Sequence, residues 1–362
     1  MPRKNVQIQF PRLGVMRRHG LHTGGKQAEY STPWSANVRL EDNLTNRLRG
    51  GSFTGVSAGA RVDPVYRDRA ITFLDNGITA ARQGNASDTS LSTDVSDTAR
   101  PILFQLSEAG SVGGDVVAVI PHKDSHLICF AAGETWVLAG DPATGSLRRV
   151  SDEVGCMAQN AWCVNHDTVY FLSSRGLYSV GTDGSGLKAI SEDKVPQNLA
   201  GVSDSACTLT YNHADHGVYI HIEGEVDWFY DTERNAFWPF DTSEADSHVL
   251  LGPMQIGSTN HFGRILRIYG VTAAGSADVT WRIIVADSAE EAADNGKLAI
   301  EAALDGNNFS SYVRSSGTWA AGINNSAYPR ARGQWVVLWL SASSDWAYEG
   351  ASLECVTSGR WR

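Results

Sequence analysis

The stretch AWCVNHDTVYFLSSRGLYSVGTDGSGLKAI, residues 161–190, decides the fold class of this chain. It contains four short runs of apolar, β-branched and aromatic residues, separated by turns rich in Asn, Asp, Ser and Gly. Runs of this length and composition, with turn residues at both ends, predict four β-strands that pair in sequential order.

The same pattern occurs three times, in 115–158, 161–199 and 206–245. The spacing of about 45 residues matches a four-stranded propeller blade. We therefore expect an all-β fold with a β-propeller-like core of repeated four-stranded antiparallel units, which bury one another's faces by stacking.

Three repeats are too few for a closed ring, which typically takes about four to eight blades. One alternative is a further blade built half from each end of the domain. Its halves would be a hairpin at 69–82, marked by the turn Asp75-Asn76-Gly77, and strands within 248–269. In the other alternative the ring stays open and neighbouring structure completes it.

Composition predicts three domains. Residues 1–60 are expected to form an extended N-terminal arm, because they are rich in Gly, Pro, Arg and Asn and show no lasting periodicity. Isolated aromatic residues in this arm favour anchoring on another surface over a free tail. Residues 61–275 are expected to form the propeller-like domain, and residues 276–362 a small C-terminal β-sandwich.

The sandwich is predicted to contain one short helix among its strands. The capping-box pattern Ser288-Ala-Glu-Glu291 marks the start of the helix, and Asn295-Gly296 marks its end. Strands are expected at 279–285, 311–314, 334–340 and 351–356.

Charge and cysteine usage limit the function classes. The chain of 362 residues has a formal net charge of −10, which opposes general binding to a phosphate backbone. Its basic N-terminus predicts either a solvated arm or one that docks on an acidic partner.

The five cysteines are an odd number without a CxxC motif, so we expect reduced core thiols in a protein made in a cytosol. No apolar run approaches the roughly 20 residues of a membrane span.

No motif predicts a catalytic or metal site. Gly55-Val-Ser-Ala-Gly59 matches GxSxG but lacks the strand and helix that a nucleophile elbow needs. His122, His126 and Cys129 lie in a predicted hairpin, where alternation puts the last two on opposite faces. The Asp- and Gly-rich segments 141–145 and 183–186 are typical of tight turns rather than calcium loops. We therefore expect a non-enzymatic protein with no metal and no cofactor.

Tryptophan is concentrated in the C-terminal block. Six of the 11 tryptophans lie there: Trp281, Trp319, Trp335, Trp339, Trp346 and Trp361. Such residues are typical core or interface anchors. A sugar-binding platform is the alternative.

Several stretches of the chain resemble a known class of proteins. They are Val95-Ser-Asp-Thr-Ala-Arg-Pro101, Phe104-Gln-Leu-Ser-Glu-Ala-Gly110, Trp136-Val-Leu-Ala-Gly-Asp-Pro142, Phe171-Leu-Ser-Ser-Arg-Gly-Leu-Tyr178, Asp227-Trp-Phe-Tyr-Asp231, Phe237-Trp-Pro239, Trp346-Ala-Tyr-Glu-Gly350 and Gly359-Arg-Trp-Arg362. Together they resemble structural proteins of tailed bacteriophages and, more loosely, the propeller-containing hub or nozzle proteins of short-tailed phages. The resemblance spans most of residues 25–362.

The resemblance implies a homo-oligomeric ring of six copies in the virion tail, assembled in the host cytoplasm. The ring would lie below the head-to-tail adaptor protein, with DNA only in transit through its lumen. The arm would reach the adaptor or a neighbouring subunit, and the sandwich would face tail fibre or tip proteins. The expected interface residues are Phe10, Tyr30, Trp34, Arg39, Arg47, Arg49, Trp319, Trp335, Trp346 and Trp361.

Two other functions remain as alternatives. The first is a tail-tip or baseplate protein that binds a carbohydrate receptor through the C-terminal tryptophans. The second is a glycan-cleaving propeller enzyme, which would need clustered carboxylates at one mouth of the ring.

Overall fold

The fold is described from a computed structural model of the chain. The described residues are 3–8, 34–36, 38–40, 48–50, 65–66, 69–74, 77–82, 102–103, 112–123, 125–141, 145–201, 207–240, 246–258 and 260–360. For residues between 34 and 103, the backbone alone is described.

The chain divides into two compact units. Unit 1 comprises Met1–Gly55, Asp215–Gly217 and Val226–Arg362, and unit 2 comprises Val56–Ala214 and Val218–Glu225. Within its described residues, the N-terminal segment contributes four short strands to unit 1. They are β1 (Arg3–Ile8), β2 (Trp34–Ala36), β3 (Val38–Leu40) and β4 (Leu48–Gly50).

The described part of unit 2 contains three four-stranded antiparallel sheets whose strands follow one another in chain order. The first has β5 (Val65–Tyr66), β6 (Arg69–Leu74), β7 (Gly77–Arg82) and β8 (Ile102–Leu103). The second has β9 (Val116–His122), β10 (His126–Ala131), β11 (Thr135–Ala139) and β12 (Ser146–Ser151). The third has β13 (Trp162–Asn165), β14 (Thr168–Ser173), β15 (Gly176–Gly181) and β16 (Lys188–Ala189), followed by the one-turn helix α1 (Pro196–Leu199).

A further sheet has the same sequential order. Its strands are β17 (Cys207–Asn212), β18 (Gly217–Ile222), β19 (Asp227–Asp231) and β20 (Ala236–Phe240). The division between the units passes through this repeat, with β17 in unit 2 and the hairpin of β19 and β20 in unit 1.

The prediction of an all-β, propeller-like fold is confirmed, and each of the three predicted repeats is a four-stranded antiparallel sheet. The hairpin at 69–82 is also confirmed, with Leu74 opposite Gly77. It obtains its two outer strands from its own neighbourhood, at 65–66 and 102–103, and not from the far end of the domain. These outer strands are two residues long, too short to show a strand pattern in the sequence.

The turns of the repeats are held by their own carboxylates. Asp183 Oδ1 accepts hydrogen bonds from the Ser185 amide at 2.9 Å and from the Ser185 hydroxyl at 2.6 Å. These bonds hold the pKa of Asp183 below its usual range. The buried Asp231 accepts bonds from the amides of Glu233 and Arg234 in the same way. The two carboxylates therefore act as turn residues.

The rest of unit 1 is built from eight strands and a helix. They are β21 (Ser247–Gln255), β22 (His261–Thr272), β23 (Val279–Ala286), α2 (Ala289–Leu304), β24 (Ser315–Trp319), β25 (Gly322–Ala327), β26 (Arg332–Gly333), β27 (Trp335–Ala342) and β28 (Trp346–Arg360). One sheet has the order β2-β21-β27-β23-β24. The other has the order β25-β22-β28-β4-β3, with β1 paired to β28 and β26 paired to β22.

The two sheets of unit 1 pack face to face. A Cβ at Gly270 in β22 would lie 2.5 Å from the ring of Trp319 in β24, so the glycine allows the close approach of the two sheets. The Trp346 indole of β28 donates a 2.5 Å hydrogen bond to the Ser247 hydroxyl of β21. Helix α2 covers the outer face of the five-stranded sheet, with Ala292, Ala299 and Ile300 packed against Leu250, Val337 and Trp339.

The structure corrects the predicted organisation of the C-terminal region. Strands within 248–269 were a possible half-blade, but β21 pairs with β27 and β22 pairs with β28. The expected boundary between 275 and 276 therefore falls inside unit 1. The predicted strand at 311–314 is also wrong, because this segment is a turn followed by irregular backbone and β24 begins at Ser315.

The helix begins where the capping box predicts and ends later than expected. The Ser288 hydroxyl accepts the Glu291 amide at 3.1 Å, and the Glu291 carboxylate accepts the Asp287 amide at 3.2 Å. The helix then continues through Asn295 and Gly296 to Leu304. A Cβ at Gly296 would lie 2.6 Å from the Leu250 side chain, so this glycine allows close packing on the sheet and does not end the helix.

Candidate functional site

The ten predicted interface residues lie in different parts of the structure, and some lie outside the described residues. Trp319 and Trp346 are core residues, with 0% and 2% exposure, so this part of the interface prediction is wrong. Trp335 is half-buried beside the α2 cluster. Trp34, Arg39 and Arg49 lie in β2, β3 and β4, where the backbone alone is described. The remaining four, Phe10, Tyr30, Arg47 and Trp361, lie outside the described residues.

The other C-terminal tryptophans are also core residues. Trp281 and Trp339 are buried, and the Trp281 ring lies 6.5 Å from that of Trp319. A sugar platform needs exposed ring faces, whereas Trp281, Trp319 and Trp346 are buried in the sandwich and Trp339 is buried beneath α2.

The N-terminal segment pairs with the edges of unit 1. Strand β1 runs antiparallel to β28, with Arg3 opposite Val356 and Ile8 opposite Ala351. Strand β2 extends the other sheet by pairing with β21. Ile8 is buried, whereas Lys4, Asn5 and Gln7 are exposed, so β1 is attached mainly by its backbone ladder.

The outer face of the seven-stranded sheet is basic. Arg264, Arg267, Arg330 and Arg332 are all exposed, and we call this set the arginine face. Arg264 and Arg267 are exposed beside the buried residues Ile265 and Ile268. They are three positions apart, and the register shift between Ile265 and Arg267 brings both to the side of β22 away from the core.

Two of these arginines are direct cross-strand neighbours. Arg264 in β22 is opposite Arg332 in β26, a position where side chains are about 5 Å apart at Cβ. The Arg332 guanidinium lies 4.7 Å from the centre of the Phe262 ring. Among the described carboxylates, none lies within ion-pair distance of Arg264, Arg330 or Arg332.

The charge of Arg267, unlike that of the other three arginines, is partly balanced by a carboxylate. It lies 4.0 Å from the Glu354 carboxylate, which is directly opposite on β28. A side-chain hydrogen bond with Tyr269 raises the pKa of Arg267, with a smaller contribution from Glu354. The face as a whole therefore keeps a net positive charge.

The outer side of unit 1 that carries α2 is acidic. We call the following set the acidic stripe: Asp287, Glu290, Glu291, Asp294, Glu301 and Asp305. Within α2, positions 291, 294, 298 and 301 follow one another at intervals of three or four, which is one face of a helix, and Glu290 is four positions before Asp294. Asp287 and Asp305 lie just beyond the two ends of the helix. Lys297 is the one basic residue in this segment and lies 3.6 Å from Glu301.

The middle of the stripe holds an exposed apolar side chain. Leu298 is 46% exposed and occupies the stripe position between Asp294 and Glu301. The opposite side of the helix is buried on the five-stranded sheet. The two sheets lie between the arginine face and the acidic stripe, so these charged surfaces are on opposite sides of the sandwich.

A polar cluster surrounds Trp339, which is buried beneath α2. The Trp339 indole donates to His248 Nδ1 at 3.2 Å, and Arg282 lies 4.1 Å above the Trp339 ring. Arg282 also donates to the Ser341 hydroxyl at 2.7 Å. Burial, with a smaller effect of nearby Arg282, lowers the pKa of His248 to about 4 against the opposing effect of Asp246. His248 is therefore a neutral acceptor that organises the core.

Histidines at a strand end and in turns of the repeats lie close to residues of the next repeat within unit 2. His122 Nε2 is 3.2 Å from Asp167 in the next repeat, and the rings of His166 and His213 are 6.2 Å apart. Across the described ranges, no group of three His, Cys, Asp or Glu side chains is placed to hold a metal ion. All five cysteines are buried thiols outside disulfides, as predicted, and burial raises the pKa of Cys129, Cys207 and Cys355 to about 12.

The sequence did not predict the arginine face or the acidic stripe as surfaces. Arg264 and Arg332 are 68 positions apart, so their pairing depends on sheet register. The acidic stripe was visible in part, but the helix was expected to end before Glu301. The GxSxG segment at 55–59 lies outside the described residues.

Comparisons with known proteins show little similarity. No protein-family model matches the sequence, and no curated protein matches it significantly. No helix in the described part of the chain is long and apolar enough to cross a membrane.

Three solved structures have weak likeness to the chain. One is an extracellular domain from B. thetaiotaomicron described as that of a one-component system, with a TM-score of 0.28 and 9% identity over 61% of this chain and 26% of that one. Kluyveromyces lactis Hsv2 has a TM-score of 0.26 and 13% identity, over 56% of this chain and 72% of that one. An exo-β-1,3-galactanase from Phanerochaete chrysosporium has a TM-score of 0.23 and 9% identity, over 84% of this chain and 99% of that one. At these TM-scores the likenesses support no statement about function.

Proposed function

We propose that the protein is a structural component of a bacteriophage tail, a ring-forming hub or nozzle subunit below the head-to-tail adaptor. Six copies surround a lumen through which DNA passes, and the ring also contacts tail fibre or tip proteins. In this role the protein is not an enzyme and takes no cofactor.

The observation that supports this role most strongly is the pairing of the N-terminal segment with sheet edges. Strands β1 and β4 both pair with β28, and β2 pairs with β21. An extended segment that adds short strands to exposed edges can join sheets through backbone hydrogen bonds without a dedicated pocket. This is a geometry suited to assembly, and it agrees with the sequence resemblance to phage tail proteins.

The charge of the chain gives further support. A net charge of −10 provides few phosphate partners, so DNA can move through a lumen of this composition without adhering. The arginine face lies on one side of unit 1, and in this proposal it faces away from the DNA path.

The receptor-binding alternative loses its main support. It depended on exposed tryptophans in the C-terminal block, and Trp281, Trp319, Trp339 and Trp346 are buried. We therefore retain the structural role as the proposed function.

Electron cryomicroscopy and mass spectrometry of purified phage particles that carry this gene test the proposal. We expect the chain in the virion at six copies for each tail, in a ring between the adaptor and the tail tip. Particles that contain the full set of other tail proteins but lack this chain would contradict the proposal.

A further inference from the structure

Opposite charge on opposite sides of unit 1 suggests how copies of the chain contact each other. We propose that the arginine face of one copy binds the acidic stripe of a second copy. This inference rests on the proposed ring-forming function and assigns the contact that builds the ring.

The placement of the two surfaces determines the symmetry of the contact. The arginine face is on the outer side of the seven-stranded sheet, and the acidic stripe is on the helix that covers the five-stranded sheet. Each copy uses two different surfaces, so the contact is heterologous. Heterologous contacts repeat from copy to copy and give either a closed ring or an open filament.

The arginine face is not explained by the stability of the fold. Like charges directly opposite on neighbouring strands destabilise a sheet, and Arg264 and Arg332 are such a pair. Arg332 is held over Phe262, which orders its guanidinium at the surface. Arginine forks bind carboxylates in a bidentate manner, so an acidic partner would offset this repulsion.

The acidic stripe has the chemistry that such a partner needs. Its carboxylates, of which all but the half-exposed Glu301 are exposed, lie along α2 and at its two ends, and one lysine, Lys297, offsets only part of their charge. Leu298 gives the stripe an exposed apolar centre, while Tyr328, which is 70% exposed, precedes Arg330 on the opposite face of the sandwich. An apolar centre with a charged rim is the usual anatomy of a protein interface.

The size of the surfaces predicts a weak, salt-sensitive contact. A 16-residue helix is about 24 Å long, so one face of it covers less than the roughly 800 Å² per partner of a standard interface. Exposed charges are screened over about 8 Å at physiological ionic strength. We expect association at low salt and high concentration, and dissociation as salt rises.

Nucleic acid is the competing occupant of the arginine face. Arginines beside aromatic residues also bind phosphate backbones. A second copy is favoured because its complementary surface is present on the same unit. In addition, the overall charge of −10 repels a polynucleotide.

Sedimentation velocity of the full chain over a salt series tests the contact. The first variant, R264E/R332E, reverses the arginine face, and the second, E290K/D294K, reverses part of the stripe. Each should weaken association by at least about tenfold at low salt, because attraction becomes repulsion. The four-substitution variant that combines both reversals restores complementarity and should recover most of the association.

Matched controls separate this effect from net charge and from misfolding. K188E/R314E carries the same charge change as the first variant, and E223K/E225K the same change as the second, at exposed positions outside both surfaces. Both controls should assemble like the wild type. Thermal melts of every variant identify any that fail to fold, and recovery in the four-substitution variant would show that both reversals are tolerated.

The outcomes distinguish this inference from the proposed function. If the wild type forms rings and R264E/R332E forms them equally well, the assigned contact is wrong while the ring remains. If R264E/R332E loses binding to a fluorescent DNA oligonucleotide and the stripe variant keeps wild-type association, the occupant is nucleic acid and the inference is overturned. If the wild type stays monomeric at every concentration and salt level, both the contact and the ring are refuted. If the four-substitution variant recovers association but the chain is absent from virions, the contact is supported and the proposed tail function is not.

Discussion

The sequential repeats and the sandwich of unit 1 are both antiparallel β-structure, but they connect the chain differently. In the repeats, each strand pairs with its neighbour in sequence, as β13, β14 and β15 do. In the sandwich, β1 pairs with β28 and β2 with β21, across most of the chain.

The two regions also differ in what their residues do. Those of the repeats mainly specify the fold, whereas those on the outer sides of the sandwich form charged surfaces. The repeats use their sequence for turns and for a core in which the Phe130 and Phe171 rings are 4.5 Å apart. The sandwich closes long loops, which costs chain entropy, and its strong packing around tryptophans offsets that cost. Its two outer sides carry the charged surfaces that the core does not require.

Loss of a tryptophan from the sandwich interior should have the largest effect. Trp319→Ala removes a fully buried ring that packs against Gly270 and Trp281, so the free energy of unfolding should fall by roughly 3–5 kcal/mol. Urea unfolding measures this change. Ile323→Ala, at a residue that is 88% exposed in β25, is the matched control and should stay within about 0.5 kcal/mol of the wild type.

Hydrogen exchange of the same variant sharpens the comparison. Trp319→Ala should increase exchange in β22 as well as β24, because the lost packing joins strands distant in sequence. Phe171→Ala in the repeats should act mainly on strands β13 to β15 and their neighbour β10. If both variants increased hydrogen exchange over equally wide parts of the sequence, the contrast between local and long-range pairing would be wrong.

The next largest effect should come from pH, through His248. Its pKa is lowered to about 4 in the folded chain, whereas the unfolded chain takes up the proton near pH 6.5. Between these values the unfolded state binds more protons, so stability is lost as pH falls from about 6.5 to about 4, by about 3 kcal/mol in total. His248→Gln should remove this part of the slope in urea midpoints measured from pH 7 to pH 4. Parallel curves for wild type and variant would refute a buried neutral histidine.

The sequence predicted the repeats well because their evidence is local. Turn residues such as Asp183 and the strand run of 168–172 lie next to the structure that they specify. The domain boundary was drawn in the wrong place because pairing of β22 with β28 joins positions that no short pattern connects. The end of α2 was mistaken because a glycine that permits close packing looks the same in sequence as a glycine that ends a helix.

A smaller effect tests the helix that carries the acidic stripe. Ser288→Ala removes the hydroxyl that accepts the Glu291 amide, and it should cost about 1 kcal/mol of unfolding free energy. Ser316→Ala in β24, at an exposed position, is the control for serine removal and should have little effect. Urea unfolding distinguishes them, and equal small changes in both variants would mean that the cap does not stabilise the helix.

The candidate surfaces were less predictable than the fold. Trp319 and Trp346 were expected at an interface because composition does not show which face of a strand they occupy, and both are buried. Arg264 and Arg332 become neighbours only through the pairing of β22 with β26. A surface of this kind depends on tertiary register, so a single sequence shows its residues without their arrangement.

The smallest predicted effect has the opposite sign from the others. Arg264→Thr removes one member of a like-charged cross-strand pair and introduces a residue that favours strands, so it should stabilise the fold by roughly 0.2–1 kcal/mol. Arg267→Thr is the matched control, because it removes contacts with Glu354 and Tyr269 and should be neutral or slightly destabilising. Urea unfolding at low salt compares the two, where repulsion is least screened. A stabilised Arg264→Thr protein that associates less well would mean that the sheet keeps this arginine at a cost to its own stability, as an interaction surface does. Destabilisation equal to that of Arg267→Thr would instead mean that Arg264 supports the fold, and the arginine face would lose its strongest argument for a partner.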